Sequence, residues 1–453
     1  MTIRSTTPCG PTTTLKGIDS VDPVEYGAFF KCQNQLLSFA LFQMKWEPYH
    51  KVWAVMVFGW IANYMVRSGL SPVLIPIREE FGFSYAQAGL IGSALFYAYA
   101  GMLFPAGYMG DRLGRKVVLV TCTFWWSVSS IITGLANSFF TLFLARFLTG
   151  VGQGSYFSND RPVIAAYTPQ EKLGFGQGIS FIGLGTGLCL GYILAGVISA
   201  HLGWRYVFFL FSIPSFAAAV LILKMITEPR AQRDDETASG RDKTPFSIVF
   251  KKRDLWMLYV GGIPGVYAVW MAGTWAPAMF KELGVENLAM SSMLASLVGI
   301  SAVPGLILTG YVSDWMMRRG LGRKALIGTS YLLTGLFMFL MGLAVRHHWG
   351  APVAASFIFC VGFFAWGHWA AFYALIADIV PDEVRGTCYG LTNSINFIGA
   401  IIAPTLTGWV KDLTASFEWG CYLAVLFSLV GSLFIFGVSP PFRLKPERPI
   451  TDG

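Results

Sequence analysis

From residue 52 to residue 438, long apolar runs alternate with short clusters of charged or turn-forming residues. A helix that crosses lipid needs about 20 mainly apolar residues to cover a hydrocarbon core about 30 Å thick. Runs of that kind fall at 52–77, 86–108, 117–137, 139–167, 175–201 and 205–227, and again at 255–281, 288–313, 325–345, 351–380, 387–410 and 418–438. The pattern predicts an all-α membrane protein with twelve transmembrane helices. A polar, aperiodic stretch containing RAQRDDETASGRDKT separates the sixth run from the seventh and reads as a linker. The expected organisation is a cytosolic tail over 1–51, a six-helix bundle over 52–227, a cytosolic linker over 228–254, a second six-helix bundle over 255–438 and a cytosolic tail over 439–453. No signal peptide precedes the first run, so insertion is expected to rely on the first helix itself.

The two sets of six resemble each other. GYMGDRLGRK (107–116) follows span two, and GYVSDWMMRRGLGRK (310–324) follows span eight, each placing Gly-Tyr, then Asp, then Gly-Arg-Lys. A shorter echo pairs PQEKLG (169–174) with PDEVRG (381–386). Duplicated halves related by an axis along the membrane normal are a transporter design, with the solute site near the midplane between them.

Charge sets the orientation. Arg112, Arg115 and Lys116 follow span two; Arg230, Arg233, Arg241, Lys243, Lys251, Lys252 and Arg253 lie between the halves; Arg318, Arg319, Arg323 and Lys324 follow span eight. The alternate loops hold isolated cations, Arg78, Lys281 and Arg346. Cytosolic loops carry the excess of Lys and Arg, so both termini are expected in the cytosol and the chain in the plasma (inner) membrane.

Composition adds exclusions. Only 13% of residues are charged against 54% hydrophobic, roughly half the usual charged fraction. The net charge of +8 sits in loops and does not read as a nucleic-acid surface. Seven cysteines without a CxxC spacing give no disulfide framework, metal site or cofactor. Without GxxxxGK[ST] there is no nucleotide site, and no nucleophile and base stand in a recognisable context, so neither ATP-driven transport nor an enzyme is expected.

Ionisable residues inside the spans are costly unless they face a cavity or a partner. Arg67 stands well inside span one, with Tyr64 one turn before it and Tyr99 in span two. In span four, Arg146, Gly150, Gln153, Phe157 and Asp160 recur at helical spacing. Asp160 and Arg161 stand open between a functional role and solvation or pairing at the helix end. Span ten carries Trp366, His368, Trp369, Phe372 and Tyr373 in FFAWGHWAAFYALIAD, a composition suited to a pocket wall. His368, like Asn393 and Asn396 of span eleven, reads either as a helix–helix contact or as part of a site.

GYMGDRLGRK resembles the loop signature of the major facilitator superfamily of secondary transporters. The resemblance implies a gating latch built from Gly107, Asp111, Arg112, Gly114 and Arg115, echoed by Asp314 and Arg323, that holds an outward-facing state and breaks on opening inward. Tyr64 and Arg67, EEFGFSYAQAGLIGSALFYAYA (79–100), the stretch from Arg146 to Gly154, and NDRPVIAAYTPQEK (159–172) resemble one branch, the anion:cation symporter family of organic anion and sugar acid carriers. TWAPAMF (274–280) and PDEVRGTCYGLTNSINFIG (381–399) extend the likeness more weakly. The resemblance implies that Arg67 binds the substrate carboxylate, that the family tyrosine of span two is Tyr99, and that a span-four arginine near the cytosolic end is Arg161. Proton-using members carry an acid just before the span-one arginine and another in mid span four; here Val66 and Gln153 stand there. Coupling through Asp160 or His368, anion exchange, and facilitated diffusion all remain open.

The expectation is therefore a twelve-helix secondary transporter of a small organic anion, a monomer in the bilayer, with protons as a candidate co-ion. Its cavity is expected to hold Arg67, Tyr64, Tyr99, Gln153, Arg161, Trp275, His368 and Asn393. The rivals are a broad-specificity exporter of apolar or cationic compounds and a transporter-like sensor.

Overall fold

The computed structural model describes residues 47–169, 172–228 and 248–439. Most of the two expected tails and of the linker, and Gln170 and Glu171 of the PQEKLG echo, lie outside the described residues. From Tyr49 on, the described residues cluster as one compact unit.

Among the described residues there are sixteen helices and no strand. The first half comprises α1 (Pro48–Ser68), α2 (Leu70–Phe81), α3 (Tyr85–Leu113), α4 (Arg115–Gly134), α5 (Phe139–Tyr167), α6 (Leu173–Leu202) and α7 (Trp204–Met225). After the short α8 (Ile248–Lys251) come α9 (Arg253–Glu282), α10 (Leu288–Ala295), α11 (Leu297–Arg318), α12 (Lys324–Arg346) and α13 (Ala351–Ile379). The chain then runs through α14 (Asp382–Asn396), α15 (Ile398–Thr414) and α16 (Glu418–Phe436).

Among the described residues, nine stretches are long and apolar enough to cross a membrane, α10 and α11 counting as one. The other three crossings are the pair α1 and α2, helix α5, and the pair α14 and α15. Each is made less apolar or less continuous by a feature with a role. Gly69 interrupts the first, Arg146, Asp160 and Arg161 load the second, and a break at Phe397 divides the third. Where spans one, eight and eleven were expected to be single helices, each is two. At Gly69 the reason is close packing: a side chain there would drive into the Phe211 ring of α7.

Local chemistry sets the helix starts. Ser84 caps α3 by accepting from the Gln87 backbone N–H while Gln87 returns the bond, and Ser138 and Thr141 repeat the device at α5. Gly114, at φ +100°, makes the reversal between α3 and α4 in a backbone conformation that L side chains rarely adopt.

The halves meet along α3 against α15 and α6 against α10 and α11. Glycine permits the approach: a Cβ on Gly89 would strike the Pro404 carbonyl and one on Gly408 the Tyr85 carbonyl. Polar bonds tie the halves at the end opposite the Asp111 and Asp314 turns. Ser71 Oγ donates to Thr274 O at 2.6 Å, Tyr192 OH to Gly273 O, and Lys281 pairs with Glu79 at 2.8 Å. Asp412 accepts the Tyr85 and Ala86 backbone N–H groups at 2.9 and 2.8 Å. This end is sealed.

Candidate functional site

A cavity of about 580 Å³ lies between the halves. The first half contributes Trp60 and Tyr64 of α1, Tyr99 of α3, Phe157 of α5 and Phe181 of α6. The second contributes Trp270 of α9, Trp366, Trp369 and Tyr373 of α13, and Asn393 and Phe397 beside the α14 break.

Behind this wall lies Arg67, 4% exposed. Its guanidinium carbon sits 4.6 Å from the Tyr64 ring centre, 4.5 Å from that of Tyr99 and 5.9 Å from that of Trp270, so three cavity rings share the charge through their π faces. Nε donates to Gln153 Oε1 at 2.9 Å, and Gln153 Nε2 donates to Asn63 O at 2.9 Å. Nη1 and Nη2 are buried without a hydrogen-bond partner. A buried cation with unpartnered donors and no facing carboxylate can donate to an anion's oxygens.

Arg146 supports it from α5. Its Nη1 donates to Val66 O at 3.2 Å and its Nη2 to Arg67 O at 3.5 Å, satisfying carbonyls that the end of α1 leaves without intrahelical partners. Arg67, Arg146, Ser71 and Trp270 also border a small void of about 20 Å³. That position was visible in the sequence as a charge inside a span, but nothing there tied it to the end of α1.

Arg161 anchors another corner. Nη1 donates to the backbone and side-chain oxygens of Gln177 on α6 at 2.9 and 3.2 Å, and Gln177 returns a bond to Arg161 O at 2.9 Å. Nη2 lies 3.3 Å from Asp160 Oδ2, and the cavity ring of Phe181 is 4.3 Å away. Asp160 is fully buried; Oδ2 accepts from Trp60 Nε1 at 2.7 Å while Oδ1 has no partner. Asp160 and Arg161 are thus paired, but directly behind cavity-lining rings rather than at a solvated helix end.

Two expected residues lie away from the cavity altogether. His368 is turned from it, its ring edge-on to Tyr331 of α12 at 4.7 Å and its Nδ1 3.4 Å from Phe364 O. Helical phase is the reason: residues 366, 369, 370 and 373 form one stripe, and 368 lies about 200° round the helix from 366. Trp275 sits in the sealed end, where Nε1 donates to Pro404 O at 3.1 Å and the ring packs on Tyr85 and Phe417. Of the remaining candidates, Tyr64, Tyr99 and Asn393 border the cavity; Arg67, Gln153 and Arg161 lie just behind it.

Trp60, Phe181, Trp270 and Phe397 belong to the wall although sequence reasoning did not single them out. For Trp60 a signal exists: residues 60, 64 and 67 form an i, i+4, i+7 stripe that leads to the arginine.

The turns at the other end pair within their own halves. Asp111 forms an ion pair with Arg115, whose Nη1 also reaches Gly107 O, Ser158 O and Asn159 Oδ1. Glu228 caps α4 by accepting from the Arg115 and Lys116 backbone N–H groups at 2.6 and 2.9 Å. Arg112 lies over the Tyr108 ring at 4.8 Å. The echo matches: Arg323 holds Asp314 at 2.8 Å, Ser313 at 2.6 Å and Asp378 at 3.0 Å.

The chain is similar along most of its length to known carriers. It is 27% identical to the probable sulfoacetate transporter SauU of Cupriavidus necator, over 86% of this chain and 94% of that protein. It is 25% identical to the hexuronate transporter of Bacillus subtilis, over 86% and 96%. Among solved structures, a bacterial homolog of the human lysosomal transporter Spinster, in an inward-facing and occupied conformation, shares the fold with a TM-score of 0.76 at 18% identity, covering 88% of this chain and 98% of that one. The family model for the Major Facilitator Superfamily matches residues 56–321 and 315–451, and the chain, a multi-pass membrane protein, belongs to that superfamily.

Proposed function

We propose that the chain is a secondary transporter of small organic anions that works by alternating access, the end at Asp412 being the closed gate in this state. The observation that carries the proposal is Arg67: a buried guanidinium bound through Nε alone, with Nη1 and Nη2 free. A desolvated cation without a counter-charge is expensive, so an arriving carboxylate or sulfonate removes that cost and favours closure around itself by differential binding. The relatives named for sulfoacetate and hexuronate transport support an anionic solute.

The test is uptake of labelled organic anions into proteoliposomes. Arg67→Ala is expected to reduce uptake to the level of empty vesicles while leaving insertion intact, and uptake equal to the unaltered protein overturns the proposal. The aromatic wall favours a second reading, export of apolar or cationic compounds. A lipophilic cation in the same assay separates the two, because Arg67 would repel it.

For coupling, we place the titrating group at Asp160, a buried carboxylate behind the Trp60 ring. Val66 and Gln153 cannot titrate, and His368 faces away from the cavity.

A further inference from the structure

We infer that the anion carried here has an aromatic or comparably flat apolar body rather than a polyhydroxylated one. The inference rests on the organic-anion reading and adds the class of carbon skeleton.

Of the twenty residues that line the cavity, ten are aromatic, nine are aliphatic or glycine, and one, Asn393, is an amide. A sugar acid brings several hydroxyls, each a donor and an acceptor, and each costs free energy when it leaves water without partners. The wall has few acceptors to offer them: the Asn393 amide and the hydroxyls of Tyr64, Tyr99 and Tyr373. Asn393 Oδ1 already accepts from Tyr373 OH at 2.5 Å. The indole N–H groups of Trp366 and Trp369 are buried and unpartnered, and an indole only donates. Arg67, behind the wall, adds its Nη donors, and this set, rich in donors and poor in acceptors, suits the oxygens of one carboxylate or sulfonate better than a ring of hydroxyls.

The rings also join into a continuous aromatic surface across the two halves. Tyr99 and Phe397 approach from opposite halves with centroids 4.7 Å apart, and Trp369 stacks with Tyr373 at 5.5 Å. These rings pack on one another and together border the cavity, an aromatic surface on which a flat apolar body packs favourably. An aromatic platform also accepts the C–H face of a sugar, but the hydroxyl edge of that sugar still needs partners that this wall lacks.

The experiment is calorimetric binding to the purified full chain in lipid nanodiscs, with benzoate, phenylacetate, D-glucuronate and benzyl alcohol as probes. Benzoate or phenylacetate is expected to bind at least about tenfold more tightly than D-glucuronate, from stacking and from the absence of stranded hydroxyls. Equal or tighter binding of D-glucuronate overturns the aromatic-body inference and leaves the anion reading standing. Benzyl alcohol binding as tightly as benzoate overturns the anion reading itself, and no binding by either aromatic acid overturns the inference. Trp366→Gln, which adds an acceptor to the wall, is expected to shift the ratio toward D-glucuronate. An unchanged ratio in a variant with a normal size-exclusion profile counts against it.

Discussion

Arg67 and Gln153 are joined by a single hydrogen bond of 2.9 Å from Nε to Oε1, and the same glutamine bonds the Asn63 carbonyl. A neutral side chain therefore stands where the family resemblance places an acid. It fixes the guanidinium without neutralising it, which leaves the charge available to a solute.

Gln153→Glu tests that distinction. An ionised carboxylate at this distance would pair with Arg67, and the solute would have to displace a charge-assisted bond of about 1.5–3 kcal/mol. Uptake at neutral pH is expected to fall about tenfold or more and to recover in part as the medium is acidified and the new acid is protonated. Proteoliposome uptake against pH reads both effects. Full activity at neutral pH would show that the charge on Arg67 is not what the solute uses.

Much of the fold was legible before the structure because lipid imposes a length on every crossing and tolerates few charges in it. Arg67 was legible for the same reason: a cation at that depth must find a cavity or a partner. Rotation was not legible. Helix α13 is apolar nearly all round, so no polar face marks which side meets the neighbouring helices, and His368 and Trp366 look alike in sequence although they point to opposite sides. Depth along α9 was equally hidden, and Trp275 proved to belong to the seal. The breaks at Ser296 and Phe397 carry no proline or glycine at the junction, so nothing local announces them. The pairing of Arg161 with Gln177 depends on how α5 meets α6, which no spacing within either helix records.

Gly408 is expected to govern the seal. It lies where α15 touches the start of α3, and a Cβ there would strike the Tyr85 carbonyl and the Ala86 nitrogen, backbone atoms that cannot swing aside. Gly408→Val should therefore weaken the sealed state by about 1–3 kcal/mol and disturb the two bonds that Asp412 accepts nearby. Thr274→Cys, 7% exposed in this state, supplies the reporter. Labelling by an impermeant maleimide from the Asp412 face is expected to rise about tenfold when Gly408→Val is added. An unchanged rate would mean that another contact holds the end shut.

Glu80, in the last turn of α2 beyond the apolar run, predicts a pH dependence of stability. Partial burial pushes its carboxyl up, but bonds from Trp204 Nε1 at 2.6 Å and Arg205 Nη1 at 2.9 Å, with the Arg205 charge, outweigh burial and leave it below the usual 4.5. A carboxyl lowered by folding stabilises above its unfolded value, and the contribution is lost as pH falls through the folded value. Unaltered protein should melt above Glu80→Gln at pH 7, and the two melting curves should converge as the pH falls below the usual carboxylate range. Parallel curves across that range would remove the link between α2 and α7 as a source of acid sensitivity.

Asp160→Asn separates coupling from binding. Ionisable groups that interact with Asp160 are Arg161 and Tyr156 on its own helix, Tyr99 on α3 and Cys122 on α4, while α1 contributes the Trp60 indole. Of these only Arg161 carries a permanent charge, so the carboxylate is held by one cation, the Trp60 N–H and backbone N–H groups. Protonation would weaken these bonds, leave Arg161 held by Gln177, and loosen α5 against α1 behind the cavity wall. The amide keeps the acceptor for Trp60 and removes the titration. Asp160→Asn is therefore expected to retain exchange of labelled for unlabelled anion, with a flat pH profile, and to lose accumulation driven by an imposed pH gradient. Accumulation that survives the substitution would exclude Asp160 as the proton carrier, and loss of exchange as well would assign the pair to holding the site together.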